Sequence, residues 1–515
     1  MDILERMNKN GLWILLCVLL IATFFRTYDI QNTPPGLYPD EAMNGNNALE
    51  AISTGSYKVF YPENNGREGL FINIQALFLN VIGKREAWVL RLPSAIFGIL
   101  TVAGVYFLAA QLFSKEAGLL AAFLIAVAHW HVILSRIGLR AITAPFFLTW
   151  AIAFLLLAFG RLRKERLFRA ARPYFLLSGL FYGLGFHSYI AYRSTLLLVL
   201  IIFLYFLYYC RASGLNKEFM LGAITFTITA ALMIAPLFIY FATHPGSFFG
   251  RASGLSVFNS AAPVKDLLLN VARTVGMLNV EGDLNWRHNV SGRPELFWPV
   301  GIFFWAGVLT GTLSVARAIS KKHFTSLKSL ITSDSAFAYV MLFIWLISTG
   351  LPVILSNERL PHALRAILMA PAIFILAAAG AMWVLQAVAC RIGKGMTAVL
   401  LAALIVSALI DGYRTYFITW ARDSNLDAYF GADYVAIGRE INRLPDDVPK
   451  YVVVEAKGMF ARGFPIPAQT VMFITDTFDE QNREKKNVYY LPPQEAGDIP
   501  PGSYTWVLRD IPSRP

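Results

Sequence analysis

The sequence predicts an all-α polytopic membrane protein of about 11 transmembrane helices, with a small C-terminal α/β extracytoplasmic domain. Three observations predict it. A chain that is 56% hydrophobic and 15% charged, with mean hydropathy +0.52, lies outside the range of ordinary soluble proteins. Apolar runs near the roughly 20 residues that a spanning helix needs recur along residues 1–411. After about residue 412 the hydropathy falls and short β-prone runs begin. The net charge of +12 does not imply a nucleic-acid partner. No basic tail or RNA-binding signature accompanies it, and bilayer topology accounts for it. Cys17, Cys210 and Cys390 all lie in or at the ends of apolar runs, so no disulfide framework is suggested.

The runs fall at about 11–26, 87–110, 117–134, 141–160, 174–190, 194–210, 220–241, 297–318, 336–355, 364–388 and 396–411. The first lacks a small-residue cleavage site and is read as a retained span rather than a signal peptide. RLRKERLFRAAR at 161–172 has six basic residues and one acid, which makes it cytoplasmic by the positive-inside rule. Alternation then places Arg211 with Lys217, KKHFTSLK at 321–328 and RIGK at 391–394 on the same side. Residues 27–86, residues 242–296, SNERLPHALR at 356–365 and the segment 412–515 are left outside.

GLYPDEAMNGNNALE at 36–50 sets Asp40 and Glu41 at the start of the first outer loop, opening a helical stretch to about residue 54. YPENNGREGLF then turns the chain. LFINIQALFLNVIG at 70–83 is too short to span and suits the interface, so the loop folds Glu68 back toward the acid pair. Purely structural roles are open to both acids: Asp40 as an N-cap behind Pro39, and Glu68 as a local partner of Arg67. Up to residue 410, the outer segments and span ends carry thirteen arginines, Arg251 and Arg359 among them, against three lysines, Lys58, Lys84 and Lys265. The inner segments divide about evenly. A general need for positive charge does not discriminate in this way, whereas a planar guanidinium fork suits phosphate. The bias points to an outer-leaflet phosphate or pyrophosphate ligand, although any single arginine can instead snorkel to headgroups.

The first span, the acid pair, the second acid in GREGLF and RLPSAIFGILTV at 91–102 together resemble the GT-C superfamily of membrane glycosyltransferases. SRIGLRA at 135–141, WRHNVSGRPELF at 286–297 and ERLPHALRAILMAP at 358–371 are similar to the branch that includes protein O-mannosyltransferases and lipid A aminoarabinose transferases. The likeness covers roughly residues 10–411 and implies a GT-C-like transmembrane catalytic domain at 1–411. It implies inverting transfer of a hexosyl or pentosyl group from a polyprenyl-phosphate donor to a protein, lipid or glycan acceptor. The active site would face outward from a bacterial plasma membrane. By the resemblance Asp40 is the candidate base, Glu68 positions the acceptor or a divalent metal ion, and Glu41, about 100° around the helix, has a lesser role. Arg365 is the donor-phosphate ligand, with Arg67, Arg193 and His362 as further candidates. Tyr189, Tyr192, Arg287 and His288 are candidates for the substrate pocket.

Six histidines map to outer segments or outer span ends. His129 and His131 in HWH diverge on a helix, and no HExxH signature occurs, so the sequence identifies no metal site. LYFLYYC at 204–210 reads as a tyrosine-rich anchor at a cytoplasmic span end. Beyond residue 412, NLDAYFGADYVAIGREINRL reads as helix, and YVVVE, TVMFIT, VYYL and YTWVL read as β-prone runs. NVS at 289–291 has the pattern of a glycosylation sequon. A transporter or flippase for a lipid-linked saccharide is the alternative. It would place ionisable groups near mid-membrane and show repeat symmetry, whereas the charges here gather at the outer ends.

Overall fold

The computed structural model describes residues 9–248, 256–320, 334–357, 360–456 and 459–511. Arg251, Arg359 and the basic connection 321–328 lie outside the described residues. Helix α1 (Lys9–Thr27) leads into a long loop, the first loop of the bundle, built from α2 (Pro39–Thr54), a hairpin of β1 (Phe60–Tyr61) and β2 (Arg67–Glu68), and α3 (Gly69–Ile82). Pro39 sets the first turn of α2, Glu41 accepts from the Tyr38 N–H at 3.3 Å, and Gly55 at φ 68° ends the helix. Tyr38 therefore occupies the N-cap, and the capping role open to Asp40 is not the one it takes.

The bundle continues with α4 (Ala87–Leu112), α5 (Lys115–Val127), α6 (His129–Leu134), α7 (Thr143–Glu165), α8 (Phe168–Gly185), α9 (Leu196–Ala212) and α10 (Asn216–Thr243). The amphipathic α11 (Pro263–Gly276) follows, then α12 (Trp298–Ser320), α13 (Asp334–Ile354) and α14 (Ala370–Tyr413). Eight segments among the described residues are long and apolar enough to cross a membrane. The last, Arg365–Trp420, contains two expected spans joined across a kink at Gly393, which has φ 83° and ψ 161°. The run at 117–134 is not one helix. Ala128 is extended, and the Arg26 guanidinium donates to Ala126 O at 2.9 Å and Ile125 O at 3.3 Å, satisfying the last carbonyls of α5.

Beyond the bundle lie α15 (Asn425–Tyr429), α16 (Ala432–Ile441), β3 (Lys450–Val454), the hairpin β4 (Phe460–Ala461) and β5 (Phe464–Pro465), and α17 (Ala468–Thr475). The small α18 (Glu480–Lys485), β6 (Val488–Leu491) and β7 (Tyr504–Leu508) complete the chain. The sheet is parallel in the order β6-β3-β7. TVMFIT is helix, not strand: α17 is buried on nearly all sides, and a short apolar run carries no periodicity that separates a buried helix from a strand. Its Gln469 carbonyl accepts from Asn46 Nδ2 at 3.0 Å, and Thr470 donates to Leu37 O at 2.9 Å, tying this layer to α2. Gly36, at φ +62°, has Phe430 O within 2.5 Å of where a Cβ would lie, so only glycine admits that approach.

Buried arginines fasten this first loop. Arg91, fully buried, meets both oxygens of fully buried Glu41 at 2.9 and 3.1 Å, and donates to Pro34 O at 2.6 Å and Gly36 O at 3.0 Å. Arg136 donates to Phe25 O, Tyr28 O and Thr33 O at 3.0, 2.7 and 2.9 Å.

Helices α12 and α14 touch backbone to backbone, with a Cβ at Gly307 falling 2.1 Å from Leu376 O. Gly307→Leu is expected to force the helices apart and to cost more stability than the about 1–3 kcal/mol typical of overpacking, read as a lowered unfolding midpoint in detergent. Gly160→Ala, where a Cβ meets nothing within 4 Å, should leave the midpoint unchanged or slightly raised. Equal midpoints for wild type and Gly307→Leu would contradict the contact.

Candidate functional site

Helix α2 and the β1–β2 hairpin make one side of a cavity of about 140 Å³. The hairpin turn needs three consecutive left-handed residues, and Asn64, Asn65 and Gly66 supply them at φ 52°, 64° and 77°. That turn brings Asn64 Nδ2 within 2.7 Å of Asp40 Oδ1. The cavity is lined by Asp40, Asn44, Asn64, Asn65, Arg67, Arg140, Tyr189, His362 and Arg365, with Leu139, Ala141 and Leu364 between them. Among the described residues Asp40 is the carboxylate on this lining.

Its cations are held in place before any ligand arrives. Arg67 is nearly fully buried and donates to Asn44 Oδ1 at 2.7 Å and Asn47 Oδ1 at 2.5 Å. Burial, and then the charge of Arg140, pull its pKa down to about 10, which leaves it cationic at neutral pH. Arg140 Nε meets Glu68 Oε2 at 2.8 Å, and its guanidinium lies over the Tyr189 ring at 5.9 Å. Arg365 reaches Ser356 Oγ at the end of α13. Trp130 Nε1 donates to Ala363 O at 3.0 Å, fixing the loop that carries His362 and Arg365. Among the described residues, three guanidinium groups thus line the cavity beside one carboxylate, an arrangement whose charge and geometry could hold an anion.

The other expected residues stand apart from this lining. Glu41 faces away from Asp40, and its carboxylate is filled by Arg91, by the Gly138 N–H at 2.6 Å and by the Tyr38 N–H. One helical step of about 100° accounts for this, and the arrangement makes Glu41 a structural anchor. Glu68 pairs with Arg140, not with its neighbour Arg67, and lies 4.0 Å from Arg193, so it sits behind the cationic wall. Arg193 donates to Phe248 O at 3.0 Å and stacks on Phe248 and Phe241. Tyr192 is fully buried beside Gly185. Arg287 stacks on Tyr38 at 4.0 Å. Arg140 and Asn64 were not singled out from sequence, although Arg140 belongs to SRIGLRA and to the outer arginine excess.

His288 belongs to a second group behind His362. Asp283 Oδ2 lies 3.2 Å from His288 Nδ1 and 3.8 Å from His362 Nδ1, and the two rings stack at 5.0 Å. Burial pushes the Asp283 carboxyl up, but the bond and charge of His288, the charge of His362 and the Asn285 N–H outweigh it and hold Asp283 below its ordinary value. Burial and the neighbouring His288 keep His362 well below its own, so it is neutral. This cluster escaped the sequence reading because its ligand atoms come from two separate loops. Asn289 of the sequon is fully buried and donates to Asp283 O and Arg293 O, so the structure closes it to modification.

Residues 70–241 match the family described as dolichyl-phosphate-mannose-protein mannosyltransferase. No curated protein matches the chain. An Archaeoglobus fulgidus oligosaccharyltransferase, solved with a tethered acceptor peptide containing an NVT sequon, is similar at 17% identity and TM-score 0.56, covering 95% of this chain. This chain spans 64% of that protein's length. The same oligosaccharyltransferase in complex with Zn and sulfate aligns at 16% identity and TM-score 0.57, over 93% of this chain and 62% of that one. ArnT from Cupriavidus metallidurans bound to undecaprenyl phosphate aligns at 14% identity and TM-score 0.54, over 94% of this chain and 90% of that one. At these identities the likeness shows the fold, and the chain is an integral, multi-pass membrane protein of the GT-C fold.

Asp40 and Glu68 should respond differently to neutralisation. Glu68→Gln breaks a nearly buried pair and is expected to cost about 3–5 kcal/mol of stability. Asp40→Asn, which alters one hydrogen bond in a half-open cavity, should cost about 1 kcal/mol or less. Unfolding midpoints of both variants in one detergent check this, and a larger loss for Asp40→Asn would contradict the assignment.

Proposed function

We propose that the protein is an inverting glycosyltransferase that moves a sugar from a polyprenyl-phosphate donor to an acceptor on the outer face of the membrane, in a bacterial plasma membrane. The observation that carries the reading is that Asp40, the one carboxylate on this lining among the described residues, is set in a cavity with Arg67, Arg140 and Arg365. In this reading the three guanidinium groups take the phosphate bidentately and stabilise the charge that develops on it as the glycosidic bond breaks. Asp40 accepts the proton of the acceptor hydroxyl as its oxygen attacks the anomeric carbon from the opposite side. No strong acid is needed, because the leaving group departs as a phosphate held by cations. The relatives solved with undecaprenyl phosphate and with an acceptor peptide support the substrate classes, while the sugar and acceptor stay open at the level of hexose or pentose, and of protein, lipid or glycan. A flippase has no comparable use for a carboxylate facing the phosphate cradle.

Asp283, His288 and His362 would hold a divalent ion. Their three ligand atoms lie within 4.8 Å of one another, and His362 Nδ1 is buried with no hydrogen-bond partner among the described residues. The oxygen and two imidazole nitrogens are a donor set that suits zinc. A bound ion would supply fixed positive charge behind His362, and the residues themselves tie loop 283–288 to loop 360–365.

Asp40→Asn should reduce sugar transfer from a purified polyprenyl-phosphate sugar at least about 100-fold, the lower range for loss of a general base. Retained turnover would remove Asp40 as the base. Arg365→Lys keeps the charge and loses the fork, so donor affinity should fall by about 1.5–3 kcal/mol, and equal affinity in a direct binding measurement would exclude the phosphate role. Donor binding with movement across the bilayer and no transfer to any acceptor would favour the flippase.

A further inference from the structure

The segment beyond residue 412 reaches toward the cavity through a hairpin. Strands β4 and β5 pair around a two-residue turn, and its residues Arg462 and Gly463 sit at φ 52° and 83°, the left-handed pair that a type I′ turn requires. The turn carries the Arg462 guanidinium out to two carboxylates of the first loop. Its Nη2 lies 2.9 and 2.8 Å from the two oxygens of Glu50 and 3.1 Å from Glu63 Oε1, and its plane lies over the Phe478 ring at 4.7 Å. Lys58 is a second, looser partner of Glu50 at 3.7 Å. The apolar side of the same hairpin is seated on α2, where Ala461 and Ile466 are buried against Met43 with Phe478 beside them. Met43 is one helical turn from Asp40.

The two carboxylates that Arg462 joins have different places. Glu50 is near the end of α2, the helix that presents Asp40. Glu63 directly precedes Asn64 in the β1–β2 turn, and Asn64 Nδ2 donates to Asp40 Oδ1 at 2.7 Å. Arg462 therefore clips the turn to the helix beside the Asn64–Asp40 bond. An exposed ion pair by itself contributes little, but this guanidinium is stacked and shared between two elements. The turn also needs such support, because Asn64 and Asn65 hold φ of 52° and 64°, a conformation that non-glycine residues keep where surrounding contacts fix it. Arg67 depends on the turn less. It donates to Asn44 and Asn47 of α2 at 2.7 and 2.5 Å, and only its Nε reaches the turn, at 3.3 Å from Glu63 O. Loosening the turn should therefore disturb Asp40 more than the phosphate-facing wall.

We propose that Arg462 is a positioning residue for the transfer reaction: by holding Glu63 to Glu50 it sets Asn64 on Asp40 and so aims the carboxylate at the acceptor hydroxyl. The proposal rests on the transferase reading of Asp40. It gives the segment beyond residue 412 a part in the reaction without placing any of its side chains on the substrate.

The full-length protein in one detergent is compared with Arg462→Ala, Asn64→Gly, the double variant and Arg439→Ala, reading amide hydrogen exchange of residues 62–66 without substrate and sugar transfer from a polyprenyl-phosphate sugar. Arg439 is the control, since it joins the same segment to Glu86 at 3.2 Å, on an exposed pair away from the cavity lining. Arg462→Ala is expected to speed exchange at 62–66 and to lower kcat about tenfold or more while the donor KM changes about twofold or less. Arg439→Ala is expected to do neither. Because Arg462 acts through Asn64, the double variant should lose no more kcat than Asn64→Gly alone. Should Arg462→Ala not fold, Glu63→Gln weakens the same link from the other side and is expected to speed exchange and lower kcat likewise. Unchanged exchange at 62–66, wild-type kcat despite faster exchange, an equal loss in Arg439→Ala, or losses that multiply in the double variant would each overturn the proposal. Absence of transfer by the wild type would instead sink the transferase reading, and the Arg462 clamp would still stand or fall on the exchange result.

Discussion

Burying a guanidinium group in a membrane protein is costly unless most of its donors are met, and the part of this molecule around the cavity is organised around meeting them. Arg91, Arg136 and Arg26 are fully buried, and each is met by a carboxylate, an imidazole or backbone carbonyls from distant segments. Because those acceptors lie around residues 22–36, on α2, at the end of α5 and on α6, the three arginines fix the first loop on the bundle. Asp40 inherits its position from that scaffold: Glu41, one residue away, is locked to Arg91 and Gly138, so the helical step turns Asp40 toward the cavity.

The same chemistry divides the arginines by role. Arg91, Arg136 and Arg26 satisfy carbonyls and a carboxylate inside the scaffold. Arg67, Arg140 and Arg365 are held from behind by amides, by Glu68 and by Ser356, and line the cavity. The arginines of these segments therefore fall into two groups, those that cap buried carbonyls and those that line the cavity, and a flexible ammonium would replace neither as well as a planar fork.

Much of this architecture is legible in the sequence because hydropathy and turn chemistry are local. The spanning runs, α2 starting behind Pro39, the interfacial α3 and most of the parallel strands follow from residues near one another in the chain. What escapes depends on distant partners. Glu68 looks paired with adjacent Arg67, yet its partner is Arg140, 72 residues away. TVMFIT looks like a strand until α2 and α16 enclose it, the HWH run hides a break that Arg26 caps, and Asp283 gains meaning only beside His362. Arg140 was present in a quoted segment, but nothing local distinguished it from a headgroup-snorkelling arginine.

The central claim is that the cavity beside α2 holds a lipid phosphate between the three arginines while Asp40 faces the reacting sugar. A structure of the full chain with polyprenyl phosphate bound tests it most directly. The account predicts phosphate oxygens within about 3.2 Å of guanidinium nitrogens of Arg365 and at least one of Arg67 and Arg140, with Asp40 across the cavity from them. A phosphate seated elsewhere, with these arginines still bonded only to their protein partners, would contradict it.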